Sequence, residues 1–120
     1  MKKYFPSDDI LSHVTAIDIK QLHLAPEETI WRAVRDDGVT TLIESFKAQG
    51  ILGTSFLSVM RNQVPDSFTV MDGGHRYMAL KNLDHATANC LVFPNTLTLE
   101  EIEIIAGGLN DQHDAFKVAQ

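Results

Sequence analysis

The apolar and polar positions divide the chain into short elements of two periodicities. Val14 to Leu22 puts Ile17 and Ile19 on one face with Leu22 nearby, which predicts a first strand. Pro26 suits a first helical position, and Glu27 and Glu28 complement the dipole of a short helix bearing Ile30, Trp31 and Val34, which Asp36-Asp37-Gly38 breaks. Val39, Leu42, Ile43 and Phe46 then recur at helical spacing, an amphipathic helix closed by Gly50 in a left-handed cap. Ser55 to Arg61 and Ser67 to Met71 read as a β-hairpin turned at Pro65-Asp66, and Thr87 to Phe93 as another strand. Thr98-Leu-Glu-Glu101 is a capping box opening a helix with Leu99, Ile102, Ile105 and Ala106 on its apolar side, interrupted at Gly107-Gly108.

Phe68 to Leu83 is the stretch around which the rest is arranged. Phe68 to Met71 is a strand, Asp72-Gly73-Gly74 a turn signal, and Tyr77, Met78, Ala79, Leu80 and Leu83 the apolar positions of a helix. A helix start exposes unpaired N–H groups and partial positive charge, two glycines allow close approach to the backbone, and His75 and Arg76 add donors. Together they make an anion site, with phosphate the expected ligand. The spacing is neither that of the P-loop nor that of the dinucleotide fingerprint.

Composition narrows the partners. The 120 residues, 44% hydrophobic, suit one compact domain, and a net charge of −6 with no basic run disfavours direct DNA binding by this chain. The longest uncharged runs, Ala48 to Met60 and Ala86 to Leu99, fall short of the ~20 residues of a membrane helix, and no signal peptide is visible. The lone Cys90, inside an apolar run, cannot form an internal disulfide and fits a reducing, cytoplasmic compartment. The five histidines have no metal-ligand spacing, so zinc is not expected.

Asp72-Gly-Gly-His-Arg-Tyr-Met-Ala79 resembles the signature turn of the ParB/sulfiredoxin superfamily, where partition proteins carry Gly-Glu-Arg-Arg and sulfiredoxins Gly-Cys-His-Arg at a strand-to-helix junction. The flanks extend the resemblance. Leu42, Ser45, Phe46 and Gly50 are in register with the block Leu-x-x-Ser-Ile-x-x-x-Gly-Leu-x-x-Pro, with Thr54 at the usual proline, and Arg32 sits where many partition proteins have an arginine before that helix. Leu99 to His113 is similar to the helix leading into Glu-Asn-x-x-Arg, with only Asn110 matching. The resemblance covers roughly residues 15 to 113.

The resemblance implies an α+β fold: a small mixed, partly antiparallel sheet with packed helices. It makes residues 1–14 an N-terminal extension, 15–113 the domain and 114–120 a helix end or truncation point. It places Gly73, Gly74, His75, Arg76 and Arg32 at the phosphates of a nucleotide (ATP, ADP or CTP), with Asn110 and Asp72 at a Mg²⁺ ion. Each residue also has a plainer role. The glycines can simply reverse the chain, Arg76 can pair with a surface carboxylate, and His75 can be a partly buried hydrogen-bonding group. Asp72 can cap the turn, Asn110 the last helix, and Trp31, Tyr77 and Met78 can be core. A free-serine kinase branch also shows Asp-Gly-x-His-Arg, so phosphoryl transfer to a small hydroxyl substrate is one activity the resemblance implies. There Asp72 or His75 would be catalytic, with Glu27 or Glu28 as other bases. Nucleotide hydrolysis is another, so whether the chain is an enzyme stays open. Sulfiredoxin chemistry is excluded, because Gly74 stands in place of the nucleophilic cysteine. The alternative is a nucleotide-switched module of a DNA-partition or transcription-type protein whose DNA-binding part is absent here. A homodimer is compatible with either.

Overall fold

The computed structural model describes residues 13–25, 34–50 and 56–106. Strand β1 (Thr15–Asp18), a 3-10 turn (Ile19–Gln21) and strand β2 (Leu22–Leu24) are followed by helix α1 (Asp36–Gln49), the hairpin β3 (Leu57–Arg61) and β4 (Phe68–Asp72), helix α2 (Gly74–Asn82), strand β5 (Thr87–Phe93) and helix α3 (Leu99–Ala106). The strands form one mixed sheet in the order β1-β5-β3-β4-β2, so the fold is α+β as expected. β1 with β5 and β3 with β4 run antiparallel; β2 with β4 and β3 with β5 run parallel.

The stretch expected as one strand over Val14 to Leu22 is two strands at opposite edges of the sheet. Asp18 accepts a hydrogen bond from the Lys20 amide at 2.9 Å, and that local bond turns the chain into the 3-10 segment. Only a few residues join the two edges, a reach of about 14 Å at full extension. Five strands laid flat would put the edges about 19 Å apart. The sheet therefore curls, and the Ile19 amide, donating to the Ala86 carbonyl at 3.0 Å, carries the β1–β5 pairing one residue into the turn.

Helices cover both faces. Leu57, Val59, Phe68, Val70 and Cys90 pack with Tyr77 and Leu80 of α2 and with Phe46 of α1. Met71, Leu91 and Phe93 pack with Ile102 and Ile105 of α3. Because both faces are buried, Cys90 to Phe93 reads as an unbroken apolar run rather than an alternating one. The hairpin turns at Pro65-Asp66, with Asp66 at φ 57 and the Asn62 amide donating to the Ser67 carbonyl at 2.9 Å.

Helix α1 differs from its expected start: Asp36-Asp37-Gly38 is its first turn, not a break before it. The two aspartates suit the positive end of a helix dipole. Gly50 ends it at φ 78, donating its amide to the Phe46 carbonyl at 2.8 Å. The short helix expected from Pro26 lies outside the described residues except at Val34 and Arg35, which are not helical. The Thr98 capping box is formed reciprocally, at 3.0 and 3.1 Å. Leu99, placed on the apolar side by its spacing, is instead 75% exposed, since as the first residue of α3 it precedes the buried turn at Ile102, Ile105 and Ala106. No helix among the described residues is long and apolar enough to cross a membrane.

Candidate functional site

Strand β4 ends at Asp72 and the chain reverses at Gly73, whose φ of 95 and ψ of 24 lie in the left-handed region that L side chains resist. Gly73, not Asp72, is the N-cap of α2, and no side chain caps that end. The first intrahelical bond is Tyr77 N–H to the Gly73 carbonyl, 2.8 Å, so the amides of Gly74, His75 and Arg76 have no intrahelical acceptor. No acidic residue occupies the first turn of α2, whereas α1 opens with Asp36 and Asp37. Of the three described helices, α3 also opening with Glu100 and Glu101, α2 alone has no acidic residue in its first turn.

The glycines have packing reasons of their own. A Cβ on Gly73 would stand 2.6 Å from Leu57 Cδ2, and one on Gly74 would stand 2.7 Å from Val34 Cγ2 and 3.6 Å from Leu24 Cδ2. The turn is thus pressed by β3 beneath it and by Leu24 and Val34 beside it. These two residues flank 26–33, the segment that contains Arg32, which with Asn110 lies outside the described residues.

Arg76 is half-buried. Its Nη1 donates to the Phe56 carbonyl at 3.2 Å, while its Nε is buried with no hydrogen-bond partner among the described residues. A guanidinium held by one carbonyl keeps donors in hand for an anion. Ser58, 1% exposed on β3 in register with Asp72, also has a hydroxyl without a partner among the described residues. His75 turns toward α1: its Nε2 accepts the Arg35 amide at 3.0 Å, and its ring lies where a Cβ on Gly38 would be, 2.6 Å from Cδ2. Arg35 and Asp37, 3.7 Å apart and both exposed, form a surface ion pair of little energetic weight.

The β4–α2 junction carries Asp72, Gly73, Gly74, His75 and Arg76, with the His75 ring turned toward α1. Sequence reasoning missed Phe56, Leu57 and Gly38, the partners that hold the turn. Gly38 after two aspartates carried a signal, but it read as a helix break. Among the described residues no three His, Cys, Asp or Glu converge as a metal-binding group. Cys90 is fully buried, and burial pushes its thiol from 9.0 up to about 12, so it is an inert core residue. Tyr77 is core as well, its hydroxyl donating to the Leu22 carbonyl at 3.1 Å. A cleft of about 610 Å³ opens at the other end of α2, floored by Ile19, Leu22 and Tyr77 and rimmed by Lys20, Lys81 and His85.

No family model and no curated protein sequence matches the chain. Solved structures do. The C-terminally truncated chromosome-partitioning protein ParB from Caulobacter crescentus, complexed with CTP-gamma-S, is 19% identical over 82% of this chain and 53% of that one, with a TM-score of 0.66. Sulfiredoxin from Arabidopsis thaliana is 20% identical over 68% and 85% of the two chains, TM-score 0.52. A free serine kinase variant in complex with ADP is 17% identical over 78% and 35%, TM-score 0.58. The chain thus spans about half of the partition protein's structure and about a third of the kinase's.

Proposed function

The chain has the ParB/sulfiredoxin-like fold, and from that premise we propose that the turn from Asp72 to Arg76 binds the phosphates of a nucleoside di- or triphosphate. The observation that carries the reading is Arg76: a guanidinium with its Nε buried and unpartnered among the described residues, in a first turn of α2 that holds no acidic residue. An anion there accepts from the guanidinium and from the α2 amides together. Supporting it, the partition protein of this fold is complexed with CTP-gamma-S and the free serine kinase with ADP or AMP.

In this reading Gly73 and Gly74 set the backbone, Arg76 neutralises phosphate charge, and Arg32 and Asn110 complete the site from segments outside the described residues. Asp72 repels phosphate by itself, so its place at the site fits a Mg²⁺ ion held with phosphate oxygens and water, or a hydroxyl proton to be taken. Any phosphoryl transfer to a small hydroxyl substrate, or hydrolysis, then rests on positioning and charge neutralisation. A second reading, a nucleotide-switched module of a partition-type protein, is favoured by the 82% coverage of this chain in the match to the partition protein.

The test is a thermal-shift titration with ATP, ADP, CTP and GTP plus Mg²⁺ on the wild type and Arg76→Ala. A ligand at one hundred times its dissociation constant adds about 2.7 kcal/mol, several degrees for a domain of this size. The expected outcome is a shift with at least one nucleotide that Arg76→Ala abolishes. The reading is overturned if no nucleotide shifts the wild type while Arg76→Ala folds normally.

A further inference from the structure

We infer that His75 is a positioning residue that fixes the start of α1 to the phosphate turn through its Nε2. The inference deepens the nucleotide reading and, where it concerns affinity, rests on it. A ring nitrogen that accepts a hydrogen bond carries no proton. With Nε2 accepting the Arg35 amide at 3.0 Å, the ring's donor is Nδ1. Arg35 is the N-cap of α1 and has no side-chain capping bond of its own. Its N–H is one of the donors a helix start leaves unsatisfied, the one a capping box serves from within the same helix. Here a residue forty positions away, in the first turn of another helix, serves it.

The packing agrees with the hydrogen bond. Gly38, in the first turn of α1, has no side chain where the imidazole lies, and a Cβ there would be 2.6 and 2.9 Å from Cδ2 and Nε2. Val34, beside Arg35, closes on Gly74 in the same way. The residues leading into α1 therefore touch the turn at two adjacent points, one through His75 and one through Gly74. With Nε2 committed to α1, the donors the turn offers an anion are the α2 amides, Arg76 and the Nδ1–H of His75.

Three variants and three readouts test this. Long-range proton–nitrogen NMR on the wild type should show a bare, hydrogen-bonded Nε2 and a protonated Nδ1. The Arg35 amide should exchange with solvent roughly tenfold faster in His75→Ala, the loss of one hydrogen bond. Gly38→Ala should do the same with the histidine present, because it displaces the ring. His75→Gln, whose Oε1 can take the place of Nε2, should restore protection and, with it, affinity for whichever of CTP or ATP stabilises the wild type. A protonated Nε2, or Arg35 exchange unchanged in His75→Ala, overturns the clasp. Restored protection without restored affinity in His75→Gln overturns the positioning role in favour of direct phosphate contact. If the wild type binds no nucleotide while the Arg35 amide behaves as expected, the nucleotide reading has failed and the clasp stands.

Discussion

Replacing Gly73 by alanine tests how the signature turn is held. The φ of 95 puts the residue in the left-handed region, where an L side chain costs roughly 1–2 kcal/mol. The new Cβ also meets Leu57 Cδ2 at 2.6 Å, and Leu57 is 0% exposed, with no solvent to retreat into. Overpacking of that kind costs about 1–3 kcal/mol, so Gly73→Ala should lose about 2–5 kcal/mol in all. The two contributions separate in a double-mutant cycle with Leu57→Ala, read by urea unfolding. Once Leu57 is truncated the clash disappears and only the backbone strain remains. The pair should therefore be non-additive by about 1–3 kcal/mol, within reach of a domain whose total stability is on the order of 6–18 kcal/mol. Additivity to within about 0.5 kcal/mol would refute the packing explanation and leave backbone conformation alone as the reason for the glycine.

The other predictions concern the frame around the turn. Tyr77→Phe removes the hydroxyl that serves the Leu22 carbonyl at 3.1 Å and should cost about 1–3 kcal/mol by denaturant titration, since a buried acceptor is left unmade. Thr98→Ala breaks the formed capping box and should cost about 0.5–2 kcal/mol, while α3 keeps its apolar contacts. Cys90 should resist a disulfide-exchange reagent in the native protein and react fully in urea, because its thiol is buried and pushed up to about 12. The folded state holds that proton more tightly than the unfolded chain does. The stability it contributes is fully present below about 9 and is lost as pH rises toward about 12, which unfolding curves of wild type and Cys90→Ala would register.

Elements whose causes are local are legible from sequence. β5 keeps its expected bounds, Thr87 to Phe93, because turn residues bracket an apolar run, and the Thr98 box needs only residues three apart. The hairpin at Pro65-Asp66 comes from turn chemistry in the same way. Elements whose causes are distant are not legible. Gly38 reads as a helix breaker until His75, from another helix, is seen to occupy the space beside it. Ile17 and Ile19 share a face in the sequence pattern, yet the curled sheet sends the chain beyond Asp18 to its far edge. Leu99 is misplaced by its spacing because spacing alone does not say where along a helix the packing begins.

The same distinction changes what the signature turn means. In the sequence the paired glycines look like room for a ligand. In the fold each is already explained by a neighbour, Gly73 by Leu57 and Gly74 by Val34 and Leu24, so neither needs a phosphate to account for it. Arg76 is different. The packing that explains the glycines leaves its Nε buried and unpartnered among the described residues, and an unmet donor of that kind costs about 1–3 kcal/mol, more on a charged group. Only an acceptor arriving from outside those residues removes that cost, and an anion does so with charge assistance. The guanidinium, rather than the packed glycines of the turn, is thus the group whose unmet donor bears on the proposed nucleotide site, and Arg76→Ala is the substitution that tests it.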